Sequence, residues 1–167
     1  AQSGHLCLAT LHANNSYHAL SRIISFYPLD NRPALLSDLA VTLKCIISQR
    51  LIKTPDGGRA PAVEVMLNSR HIAELVEKGD MDGIKESMEK SMTPGSQTFE
   101  QALYKLYKEG TITLDEATAN ADSANNFIWL VNNAAAEGQK KPEAPVQEGE
   151  QTANGAIFSE FKLTIDE

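Results

Sequence analysis

Gly4-His5-Leu6-Cys7-Leu8-Ala9-Thr10-Leu11-His12-Ala13-Asn14-Asn15 is the stretch on which the reading of this chain turns. Leu6 to Leu11 is apolar except for Thr10 and shows no polar–apolar alternation. That pattern predicts a strand buried on both faces, as in a parallel sheet flanked by helices. It runs out into Thr10, His12, Asn14 and Asn15, all hydrogen-bonding residues, and a helical pattern follows. In open α/β sheets, ligands sit beyond the carboxyl ends of the strands. Thr10 and His12 are two residues apart, so on an extended chain they share a side. The stretch is thus expected to be a sheet strand that delivers a hydroxyl and an imidazole to a site.

Outward from it, Asn14, Asn15 and Ser16 are N-cap residues for a helix carrying Tyr17, Leu20, Ile23, Ile24 and Tyr27, stopped by Pro28. A second amphipathic helix is predicted from Pro33, with Leu35, Leu36, Leu39, Leu43, Ile46 and Ile47 in one stripe. Residues Gln49 to Leu67 read as a hairpin turning at Asp56-Gly57. Its return strand carries Val63, Val65 and Leu67 on one face and Glu64 beside Met66 on the other. Glu64 in so apolar a strand is either solvent-facing or paired; pairing with an arginine or lysine is expected, and it is assigned no catalytic part. From Ser69 the pattern is helical, with stops at Gly79, Pro94-Gly95, Gly110 and Gly138 and a capping box at Thr113 to Glu116. Lys140 to Gly155 is rich in Glu, Gln, Gly, Pro and Ala and reads as a disordered linker. Ile157 to Ile165 regains apolar alternation at Phe161, Leu163 and Ile165, suited either to adding a strand to a sheet edge or to packing nowhere.

Composition narrows the function classes. The 167 residues are 42% hydrophobic, as in a globular protein, and the net charge of −7 argues against a nucleic-acid binder. No run reaches the roughly 18 apolar residues of a membrane-spanning helix. Cys7 and Cys45, the only cysteines, lie in apolar segments and are expected to be reduced, buried thiols of a cytoplasmic protein. They are too few for a four-cysteine zinc site, and no metal ligand set is predicted. A metal site built from His5, Cys7, His12 and His18 is disfavoured, because Cys7 and His12 fall on opposite sides of an extended strand. The sequence contains no G-x-x-x-x-G-K-[ST] phosphate loop and no apolar strand ending in Asp-Glu. A central parallel strand needs neighbours on both sides, so the chain is expected to be the C-terminal part of a longer one.

Gly4-His5-Leu6, Thr10-Leu11-His12 and Asn14 resemble the His box of secretion-type hexameric ATPases, the family that drives type II and type IV secretion and extends or retracts type IV pili. Spacing alone also admits His12 as a cap of the next helix and His5 as a surface residue. The resemblance continues through Ser48-Gln49-Arg50-Leu51, the Gly57-Gly58 hairpin and Glu64. Farther on, Gln97-Thr98-Phe99-Glu100, Ala102-Leu103, Leu106, Gly110, Ile112 and Glu116-Ala117 resemble the C-terminal helices of the PilT/PilU family of pilus retraction ATPases. Asn120-Ala121-Asp122-Ser123-Ala124-Asn125 resembles the PilU branch of that family. The A-I-R-N-L-I-R-E helix motif of the PilT branch has its counterpart in His71-Ile72-Ala73-Glu74-Leu75-Val76-Glu77-Lys78, which keeps the apolar positions but has Ala73 and Glu77 for the two arginines. The contacts of those arginines therefore cannot be carried over.

The resemblance implies an α/β fold: the C-terminal part of a RecA-like P-loop ATPase core over residues 1–68, a helical C-terminal subdomain over 69–138, and a linker and tail over 139–167. It implies a parent that hydrolyses ATP with Mg2+, both held mainly by an upstream half, as a homo-hexamer at the cytoplasmic base of the pilus. Implied partners are the paralogous retraction ATPase and the inner-membrane pilus platform, without nucleic acid. His12, His5 and Thr10 are then the catalytic residues on the γ-phosphate side, with Thr10, His12 and Asn14 contacting nucleotide. The other class of function consistent with the sequence is an adaptor module that docks on a pilus motor.

Overall fold

The computed structural model describes residues 1–90 and 93–137. The expected linker and tail lie outside the described residues. The chain runs through α1 (Ser16–Ser25), a 3-10 turn (Leu29–Asn31), α2 (Arg32–Thr42), β1 (Cys45–Lys53), β2 (Arg59–Leu67) and five further helices. These are α3 (Arg70–Lys78), α4 (Met81–Lys90), α5 (Phe99–Lys108), α6 (Leu114–Asn120) and α7 (Ala124–Glu137).

The hairpin is the spine. β1 and β2 pair antiparallel from Cys45↔Leu67 to Lys53↔Arg59. Thr54 to Gly58 close it, with Thr54 N–H donating to Gly58 O and Gly57 N–H to Thr54 O. Gly57 takes φ +85°, a conformation that costs a residue with a Cβ. Side chains alternate across a strand, and the inner face presents Ile52, Ala60, Ala62, Glu64 and Met66. This one face serves two apolar clusters. Ile52, Ala60 and Ala62 pack with Phe99, Leu103 and Phe127 of α5 and α7. Met66 packs with Leu20 of α1, Ile72 and Val76 of α3, and Ile84 of α4. Between the clusters lies the polar cross-strand pair Ser48↔Glu64, where the start of α1 arrives.

Caps set helix starts at residues the sequence singles out; of the capping box expected at Thr113 to Glu116 the threonine half forms, while Glu116 Oε2 accepts from Asn120 Nδ2 at 3.4 Å. Asn15 accepts from His18 N–H, Ser69 from Ile72 N–H and Thr113 from Glu116 N–H. Gly79 ends α3 in the left-handed region at φ +70°. Thr98 and Gln101 form a reciprocal capping box at α5. The free edge of β2 is covered where Val65 and Gln97 exchange backbone hydrogen bonds of 2.8 and 3.0 Å.

Four expectations are corrected. Leu6 to Leu11 is not a buried strand: residues 5–13 form no helix or ladder-paired strand, Ala13 N–H turns back to Leu11 O at 3.1 Å, and Leu6 and Leu8 are 84% and 89% exposed. A strand exists only with a partner, and the sheet among the described residues holds β1 and β2 alone. The α2 stripe does not reach Ile46 and Ile47; α2 ends at Thr42 and both isoleucines lie in β1, which suits their β-branched side chains. Cys7 and Cys45 are free thiols, but exposed rather than buried; Cys45 lies on the outer face of β1, opposite the side that carries Ser48 and Ile52. Glu64 is buried, yet its hydrogen bonds come from Ser16 and not from an arginine or lysine.

Candidate functional site

His5, Thr10, His12 and Asn14 lie along one exposed, irregular segment that leads into α1. The His5 ring is hydrogen-bonded to the Ser3 hydroxyl at 3.0 Å. At the far end the backbone is held: Arg22 Nη1 donates to His12 O at 2.9 Å, and Arg50 Nη2 donates to Asn14 O at 3.1 Å. The imidazole of His12 and the hydroxyl of Thr10 stay at the surface, at the entrance to α1. His12 does not cap that helix; Asn15 does. Among the described residues no group of three or more His, Cys, Asp or Glu could hold a metal ion.

The segment ends in a polar cluster that a linear reading misses. Arg50, on β1, is ion-paired through Nη2 with Asp122 Oδ1 and donates from Nη1 to Asn120 O at 2.7 Å. Its guanidinium lies over the Phe99 ring, 3.9 Å from the centroid, so the cation is fixed by stacking as well as by charge. Asp122 Oδ2 accepts from Asn15 Nδ2 at 3.1 Å, while Asn15 Oδ1 caps α1. Next to it, Glu64 Oε1 accepts from Ser16 N–H at 2.7 Å and from Ser16 Oγ at 2.6 Å. A carboxylate so placed satisfies open donors of the first helical turn and meets its positive dipole end. Burial nonetheless pushes the Glu64 carboxyl above its ordinary range, against the pull of the two Ser16 hydrogen bonds. Burial also raises the Tyr17 phenol, helped by the nearby Asp122 charge.

Arg50 and Asp122 are 72 residues apart in sequence, so no local pattern pairs them. The only signal was that each lies in a stretch quoted for the family resemblance.

Comparison with known proteins bears on the same residues. The family model for type II/IV secretion system proteins matches residues 1–57, which include the exposed segment and β1. The type IV pilus ATPase PilU of Pseudomonas aeruginosa is 51% identical over 132 residues, covering 78% of this chain and 35% of PilU. The type IV pilus retraction ATPase PilT of the same organism is 29% identical over 127 residues, covering 76% of this chain and 37% of PilT. The crystal structure of the pilus retraction motor PilT with bound ADP superposes with a TM-score of 0.66 at 33% identity, covering 75% of this chain and 35% of that one. The chain thus spans little more than a third of the relatives it matches, and its mixed fold is that of the C-terminal part of the PilT ATPase, an α/β RecA-like architecture. By sequence and by fold together, the chain belongs to the PilT/PilU family of secretion-type ATPases.

Proposed function

We propose that this chain is the γ-phosphate-side portion of a Mg2+-dependent ATPase that powers type IV pilus retraction. The observation that carries the reading is the segment of Thr10, His12 and Asn14: its polar side chains are presented at the surface while Arg22 and Arg50 hold its backbone. Its relatives include ATPases by name, and a related motor binds ADP. A hydroxyl, imidazoles and an amide suit phosphate oxygens, and an imidazole can donate to phosphate whether neutral or charged. ATP supplies the phosphoryl group. This chain's part is to donate hydrogen bonds from Thr10, His12 and His5 to the γ-phosphate side and to pass its loss into α1. Phosphoryl transfer depends mainly on such positioning and charge stabilisation.

The phosphate loop, magnesium ligand and base belong to an upstream half, and the 167 residues alone do not hydrolyse ATP. The active form is a homo-hexamer in the cytoplasm at the base of the pilus, working with a paralogous retraction ATPase and the inner-membrane platform. We assign residues 1–68 to the ATPase core and 69–138 to a helical subdomain, and both apolar clusters cross that boundary, so the two pack as one body. His12→Ala in the ATPase-active protein tests the reading. Nucleotide binding should persist while turnover falls about 10²-fold, the cost of losing one donor to developing charge. Unchanged turnover removes His12 from the mechanism.

A further inference from the structure

We propose that Asp122 is a positioning residue: its two carboxylate oxygens clamp Arg50 and Asn15, and so set the place of the segment that carries Thr10 and His12. The proposal deepens the reading of that segment as the γ-phosphate side and rests on it.

Three separate parts of the chain meet at this carboxylate. Oδ1 takes the guanidinium of Arg50 and Oδ2 takes the amide of Asn15. Arg50 in turn holds Asn14 O, Asn120 O and the face of Phe99. Asn15 spends its other end capping α1. The segment has two backbone anchors, Arg22 at His12 O and Arg50 at Asn14 O, and the clamp governs the second, two residues from the imidazole. The same carboxylate sits in the connector between α6 and α7. Those helices are therefore coupled to the nucleotide side through the Asp122 side chain, and a movement of the bundle displaces the segment.

The chemistry at Asp122 admits no neutral isostere. Both its neighbours are donors, and each occupies a different oxygen. An asparagine has one acceptor oxygen, and its amide nitrogen would face a donor. Asp122→Asn therefore loses either the Arg50 or the Asn15 contact, whichever way the amide turns. Asp122→Glu keeps two acceptors and the charge.

The test uses the ATPase-active protein that carries this chain and compares wild type, Asp122→Asn and Asp122→Glu. We expect Asp122→Asn to lower kcat about tenfold or more with KM for ATP within about twofold, because misplacement by an ångström is that costly to aligned groups. Asp122→Glu should recover most of the loss. Amide exchange over residues 14–20 should quicken in Asp122→Asn while that of α3 and α4 holds. Wild-type kcat in Asp122→Asn overturns the positioning role. So does a loss that Asp122→Glu does not recover, with exchange rising throughout the chain, since that is mere destabilisation. Absence of turnover in the wild-type protein overturns the underlying reading instead, and the positioning role falls with it.

Discussion

At the scale of single residues, Glu64 and Asp122 show how much of this molecule rests on carboxylates placed among donors. Glu64 is buried with Ser16 as its donor, and burial raises its pKa above the ordinary carboxylate value. A carboxyl with a raised pKa binds its proton more tightly folded than unfolded, so between the two values the native state holds more protons. Stability from this group is fully present below the unfolded pKa and is lost as pH rises through the folded one. Glu64→Gln cannot ionise. Its melting temperature relative to wild type should therefore rise as pH increases from about 4.3, the ordinary glutamate value. A pH-independent difference in thermal melts would show that Glu64 is not perturbed. The sequence pointed to a partner for Glu64 but named the wrong kind, because a helix start 48 residues away supplies it. Thr10 and His12 draw attention by sharing a side at the end of an apolar run, whereas His5 and Asn14 join them only through the resemblance to the His box. Arg50 and Asp122 do not stand out on their own, because their meaning arises only when a strand and a distant connector are folded together.

At the scale of elements, local signals carried furthest where the cause is local. The caps at Asn15, Ser69 and Thr113 and the left-handed glycine after α3 all stand where residue types place them. Gly79→Ala should destabilise the chain by about 1–2 kcal/mol, the cost of the left-handed region to an L-residue, in urea melts. Leu36 Cδ1 lies 3.3 Å from where the new Cβ would be, which adds to the effect. An unaltered midpoint would mean that the α3–α4 turn relaxes freely. Phe99→Ala should cost about 3–5 kcal/mol by emptying a core site. Phe99, the first residue of α5, is fully buried in the cluster that joins the hairpin to α5 and α7, and its ring carries Arg50, so the loss should also loosen the Arg50–Asp122 pair. A double-mutant cycle with Asp122→Ala reads that coupling, and simple additivity would refute it. Where an element depends on a partner, the sequence misled. Leu6 to Leu11 carries the composition of a buried strand, but ladder pairing needs another strand alongside. Ile46 and Ile47 continue the spacing of α2, yet belong to the hairpin that their branched side chains favour.

At the scale of the molecule, the hairpin divides its inner face between two helical clusters and leaves its outer face largely unclothed. Ile47 and Leu51 on β1 are 65% and 53% exposed, and Leu6 and Leu8 in the N-terminal segment are exposed as well. Apolar surface of this kind recruits other chains. The 167-residue chain alone should therefore self-associate, and sedentation of its concentration series by ultracentrifugation should show the average mass rising; a strictly monomeric profile would count against this. The α/β class and the family were legible because the His-box stretch and the C-terminal helices preserve many residue types in order. How the segment is fastened was not, because its fastening crosses the whole fold.

The central claim is that this chain supplies one side of an ATPase site and not the whole of it. ATP turnover tests it most directly, measured with Mg2+ on the 167-residue chain and on the protein extended upstream through its own reading frame. No hydrolysis is expected from the chain alone, and Mg2+-dependent hydrolysis is expected from the extended protein, whose added sequence should contain a phosphate loop. Hydrolysis by the clean 167-residue chain, or an extended protein with neither phosphate loop nor turnover, would contradict it.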